Sequence, residues 1–165
     1  MENYFSSFPE TARVWIYQAD RAFTPYEVQS LTPALQQFAQ QWTAHKLALR
    51  ADAAILNHYF IVLVVDENIH DASGCSIDAS VKFIKEIAAS LNIDFFNRLN
   101  AVCKIEGEWK IMSPSAMQNA IKDTSINAKT EVFNNMVNTL AELRQEWVLP
   151  LEKTWMKRYL LAAQT

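Results

Sequence analysis

The spacing of apolar positions changes period several times along the chain, and each change predicts an element. Arg13-Val14-Trp15-Ile16-Tyr17-Gln18 strings β-branched and aromatic residues between polar flanks, which predicts a strand over 13–18. Thr24-Pro25-Tyr26-Glu27 then combines a capping hydroxyl, a proline at the first helical position and a glutamate placed to reach back to the cap. The helix so started carries Leu35, Phe38, Ala39 and Trp42 at three- and four-residue steps, with glutamines opposite, to about 43. A second start signal at Thr32-Pro33 makes it either one kinked helix or two short ones.

From Leu47 to Ile55 every second residue is apolar, the period of a strand with one buried face, and this predicts a strand over about 46–56. Asn57-His58 reads as the turn. Tyr59 to Val65 is apolar on both faces, so a strand over about 59–66 is expected at the centre of the core. Asp66 to Ser76 reads as a loop. Val81, Ile84, Ala88 and Leu91 then mark the buried stripe of a helix over 77–91, with Ser76 as its cap, Gly74 at a positive φ and Asp78 in its first turn.

Ala101, Cys103 and Ile105 alternate with polar neighbours, Gly107 supplies a turn, and Trp109 and Ile111 return, so strands over 101–106 and 108–112 form a hairpin. Cys103 is expected to meet Trp109 or Ile111 across it. Ser113-Pro114 starts a helix over 114–121, and the polar stretch Lys122 to Thr130 is expected to be a mobile loop. Val132-Phe133-Asn134-Asn135-Met136-Val137 reads as a strand over 131–137 or as the start of a helix, and we take the strand. Helices over 140–148 and 151–162 follow, separated by Pro150. Hairpin-paired strands, rather than strands alternating with helices, predict an α+β fold with a largely antiparallel sheet.

A length of 165 residues predicts a single domain, 1–165. The net charge of −3 repels a phosphate backbone, so nucleic acid is not expected as a partner. Met1 to Glu10 lacks the basic and apolar parts of a secretory signal, and no apolar run approaches the roughly 20 residues of a transmembrane segment. A cytoplasmic location is the expectation, with Cys75 and Cys103 as free thiols. Glycine changes the picture most, because there are only two, Gly74 and Gly107. Phosphate-cradling loops need several, so neither a P-loop nor a GxGxxG turn can be written, and no nucleotide or other cofactor is expected.

Five stretches carry a resemblance to a known family: Val14-Trp15-Ile16-Tyr17, Gln41-Trp42-Thr43-Ala44-His45, Ser73-Gly74-Cys75-Ser76-Ile77-Asp78, Val132-Phe133-Asn134-Asn135, and the spacing of Trp147, Pro150, Leu151 and Trp155. Over most of its length the chain resembles an uncharacterised family of small bacterial proteins, some of which carry the label "ABC transporter ATPase". The resemblance brings no established activity, and the label conflicts with the missing ATPase motifs.

Candidate chemistry concentrates in His70-Asp71-Ala72-Ser73-Gly74-Cys75-Ser76-Ile77-Asp78, which places a thiol, hydroxyls and an imidazole beside a helix start. A helix N-terminus can activate a thiol or receive an anion, so His70, Ser73, Gly74, Cys75, Ser76 and Asp78 form the candidate ligand or reactive turn. The bland reading is a capped helix, with Asp78 repelling an incoming anion. Asp66, Glu67 and Asp71 are candidates for a hard cation or, more simply, solvated loop carboxylates; His45, His58 and His70 are scattered singly, and no metal site is expected.

Trp155, among Lys153, Lys157, Arg158 and Tyr159, reads as a surface for an acidic partner, as a weak membrane-surface contact, or as a solvated helix edge. No nucleophile, base and orienting acid are forced together by the sequence. The leading expectation is therefore a non-enzymatic binding or protein-interaction module for a protein or a small molecule, with homo-oligomerisation left open. A small thiol enzyme with Cys75 as nucleophile and His70 as base is the alternative.

Overall fold

A computed structural model describes residues 4–162, and they form an α+β protein in which every strand pair is antiparallel. Two compact units emerge: residues 4–97 with Asn138–Arg144, and Arg98–Val137 with residues 145–162.

The first unit is built on β5 (Phe60–Val65), the middle strand of a three-stranded sheet ordered β1-β5-β4, with β1 at Arg13–Gln18 and β4 at Ala51–Leu56. All six residues of β5 are fully buried, as its two-faced apolar pattern requires. Ile61, Leu63 and Val65 share a core with Leu31, Leu35 and Ala39 of α1 (Pro25–Gln41) and with Ile84 and Ile87 of α2 (Gly74–Leu91). Thr24 and Glu27 complete a capping box on α1, and Pro33 is accommodated within one continuous helix.

The strand expected over 46–56 is broken. Trp42 caps the end of α1, and the chain then makes a two-residue-a-side hairpin, β2 (Thr43–Ala44) and β3 (Leu47–Ala48), turning through His45 and Lys46 at φ 51° and 68°. The interruption itself is Leu49-Arg50, where the Leu49 N–H donates to the Trp42 carbonyl at 2.9 Å and the Arg50 carbonyl accepts the Asp66 N–H at 2.8 Å; two residues leave the polar-apolar alternation in phase, so the period does not reveal it. The expected turn at Asn57-His58 is present, with both residues at positive φ.

The second unit holds a four-stranded sheet in the order β7-β6-β8-β9, with β6 at Ala101–Ile105, β7 at Glu108–Met112, β8 at Glu131–Phe133 and β9 at Val148–Pro150. Gly107 turns the β6–β7 hairpin at φ 84°. Cys103 faces Lys110 rather than Trp109 or Ile111, since the register sets Lys104 against Trp109 and Val102 against Ile111. The thiol instead shares a core with Met117 and Ile126, and burial pushes its pKa up to about 12.

Other boundaries of this region differ from expectation. The 122–130 stretch is a loop after α3 (Pro114–Lys122), as expected, although its Ile126 is fully buried. β8 stops at Phe133, because Asn134 and Asn135 turn the chain: the Asn134 Nδ2 donates to the Glu146 carbonyl and the Asn135 Oδ1 accepts from the Trp147 indole. α4 ends at Glu146 (Leu140–Glu146), and Val148–Pro150 forms an edge strand where a helix boundary was expected. Beyond it the expected helix over 151–162 is a 3-10 turn, Leu151–Lys153, followed by α5, Lys157–Ala162.

Candidate functional site

The turn leading into α2 is a packed helix start. Ser73, at φ −86°, is its cap, and its hydroxyl accepts the Ser76 N–H at 3.2 Å. Ser76, expected as the cap, is buried one turn in; its hydroxyl donates to the Ser73 carbonyl at 2.7 Å, and its own carbonyl accepts the Trp42 indole N–H at 2.8 Å. Gly74 is the first helical residue and has no positive φ, and Asp78 lies beyond the first turn. Ser73 and Ser76 are equally good caps by residue type; the structure caps at Ser73 and docks the Trp42 indole on the Ser76 carbonyl of the first turn.

Cys75 is exposed in that first turn and His70 is half-buried in the preceding loop. Among the described residues no hydrogen bond joins the imidazole to the thiol. Two carboxylates of the preceding loop are engaged elsewhere. Asp66, buried, pairs with Arg50 at 2.9 Å and accepts from the Asn68 backbone and side chain, while Glu67 pairs with Arg13 at 3.5 Å and accepts the Ala72 N–H. These contacts leave little of the Asp66 and Glu67 oxygen set for a cation, and among the described residues no three His, Cys, Asp or Glu side chains cluster as metal ligands.

A different arrangement occurs in the second unit. Leu151, Met156 and Tyr159 are buried beside Cys103 and Met117, which seats the short α5 on the sheet. That seating turns Arg158 back over two rings, 4.6 Å from the Trp155 centroid and 5.0 Å from that of Tyr159, with its Nη2 donating to the Tyr159 hydroxyl at 3.2 Å. Trp155 and Tyr159 meet edge-on at 6.0 Å. The guanidinium is thereby held in place by the rings, since aromatic faces attract a cation while leaving its charge uncancelled.

Lys153 and Lys157 stand exposed on either side in sequence. Among the described residues neither lysine nor Arg158 has a carboxylate within ion-pairing distance, and the adjacent Glu152 pairs with Lys129. A preorganised cation flanked by two mobile ones, over an aromatic floor, is suited to carboxylates. The pattern was visible in the sequence; the ring-to-guanidinium geometry and the diversion of Glu152 were not.

No helix of the described residues is long and apolar enough to cross a membrane. No protein-family model, curated protein or solved structure matches the chain.

Proposed function

We propose that this chain is a protein-interaction module that engages an acidic segment of a partner through Trp155, Arg158 and Tyr159, with Lys153 and Lys157 alongside. The observation that carries the reading is the Arg158 guanidinium held over two aromatic rings with, among the described residues, no carboxylate within ion-pairing distance. Nucleotide hydrolysis is no part of it. Both glycines are spent elsewhere, Gly107 in a hairpin turn and Gly74 inside a helix, and a titration with magnesium and ATP is expected to give no stoichiometric binding.

The test uses a fluorescent oligoglutamate peptide. Binding is expected at low ionic strength, to weaken at least about tenfold in a Lys153→Gln, Lys157→Gln, Arg158→Gln variant, and to fade as salt shortens the Debye length below about 8 Å. A Lys46→Gln, Lys82→Gln, Lys85→Gln variant should bind as the wild type does. Equal binding by both variants would defeat the reading, and so would preferential binding to phosphatidylserine vesicles, which would make the partner a lipid surface.

A second reading, a thiol-dependent enzyme, rests on the exposure of Cys75 in the first turn of α2. Its discriminating measurement is the iodoacetamide rate at pH 7. A rate no faster than that of a free model thiol removes it.

A further inference from the structure

Residues 4–10 lie outside every helix and strand, yet two arginines contact them along the main chain. Arg50 Nη2 donates to the Ser7 carbonyl at 2.5 Å, and its guanidinium lies 5.2 Å from the Phe8 ring. Arg144 Nη2 donates to the carbonyls of Tyr4 at 2.9 Å and Phe5 at 3.2 Å, while its Nη1 pairs with the Glu10 carboxylate. Phe8 is buried and packs edge-on against Phe5 at 6.3 Å. The arginines are themselves fixed, Arg50 by the buried Asp66 at 2.9 Å and Arg144 by its place on α4.

Three features set this contact apart from ordinary packing. The arginines grip main-chain carbonyls, which any peptide offers, so the grip does not depend on which residues supply them. Specificity is left to one aromatic seat, filled by Phe8, and one carboxylate position two residues on, filled by Glu10. The resident segment also fits imperfectly: Phe5 is held at φ 55°, and the buried Arg144 Nε has no acceptor among the described residues. A ligand whose carboxylate met Nε and a terminal nitrogen side-on would satisfy a donor that this segment leaves unused.

We infer that Arg50 and Arg144 frame a docking cradle for an extended peptide carrying an aromatic residue two positions before a carboxylate, and that residues 4–10 occupy it as a displaceable internal ligand. The internal copy weakens capture of an external peptide by the fraction of molecules in which the cradle is filled. Loosening the segment therefore strengthens external binding. This surface belongs to the first unit and stands or falls independently of the Arg158 surface.

The test is fluorescence anisotropy with a labelled peptide of residues 4–10, Tyr-Phe-Ser-Ser-Phe-Pro-Glu, against full-length protein. A Phe8→Ala chain is expected to bind it at least about tenfold more tightly than wild type, because the anchor of the internal copy is gone while the cradle is intact. Adding Arg144→Gln to Phe8→Ala should abolish the gain, and a peptide with alanine in place of its second phenylalanine should not bind. Glu10→Gln loosens the segment without emptying the aromatic seat, and it serves if Phe8→Ala fails to fold by circular dichroism. Equal affinity for wild type and the loosened chain, or no binding to a loosened chain that is folded, overturns the inference.

Discussion

The two units differ in how they hold their arginines. Residues 4–97 with 138–144 carry seven basic and eleven acidic residues, and all four of their arginines, Arg13, Arg21, Arg50 and Arg144, are paired with carboxylates. The other unit carries eight basic and six acidic residues up to residue 162; Lys104 and Lys129 are paired with Glu131 and Glu152, but Arg158 is stacked on rings instead. A cation matched to a carboxylate acts as a fastener, whereas a cation held by aromatic faces keeps its field directed outward. Sequence composition alone, with its overall charge of −3, averages these two roles away.

The largest test of the contrast concerns the cores beneath the charges. Leu63→Ala empties the centre of the helix-covered sheet and is expected to cost about 3 kcal/mol in urea unfolding followed by far-ultraviolet circular dichroism. Ile105→Ala, at a half-buried position in the second unit, should cost roughly half as much or less. A reversed order would mean that the three-stranded sheet is not the principal core.

Glu27 sharpens the difference between fastening and displayed cations. The Arg21 fork, 2.8 and 2.9 Å away, and the Thr24 backbone N–H hold its carboxyl down at about 2. Because the folded value lies below the unfolded one, the stabilisation is fully present above pH about 4.5 and is lost as pH falls through about 2. Glu27→Gln should therefore cost on the order of 1 kcal/mol at pH 7 and nearly nothing at pH 2. Arg158→Gln should cost no more than about 1 kcal/mol, with no such loss of effect in acid. Stability measured across pH 2–7 separates the two.

The smallest effects come from the two glycines, and they should have opposite signs. At Gly107 the backbone sits at φ 84°, so Gly107→Ala is expected to destabilise by about 1 kcal/mol. At Gly74 a Cβ meets nothing within 4 Å and the backbone is helical, so Gly74→Ala should stabilise by about 0.5 kcal/mol. Thermal melts of the pair check this, and destabilisation by Gly74→Ala would mean that the turn needs its glycine after all.

Elements whose signal is local were legible in the sequence. The Thr24-to-Glu27 capping box, the positive-φ turns at Asn57-His58 and Gly107, and the wholly apolar β5 each follow from a few neighbouring residues. Elements decided at a distance were not. Pro150 looks like a helix breaker and is an edge-strand residue paired with Glu131; the 122–130 loop looks wholly polar and buries Ile126; Ser76 looks like a cap and is buried under the Trp42 indole.

The sequence by itself determined the α+β class, the central strand, the principal helices and the concentration of basic and aromatic residues near 155. Only the tertiary structure decided which serine caps α2, which cations are spent as fasteners, and that residues 4–10 lie in the grip of Arg50 and Arg144. The physical reason is range: capping and periodicity are fixed by neighbours a turn away, while ion pairs join residues as far apart as Glu10 and Arg144, whose meeting no local pattern records.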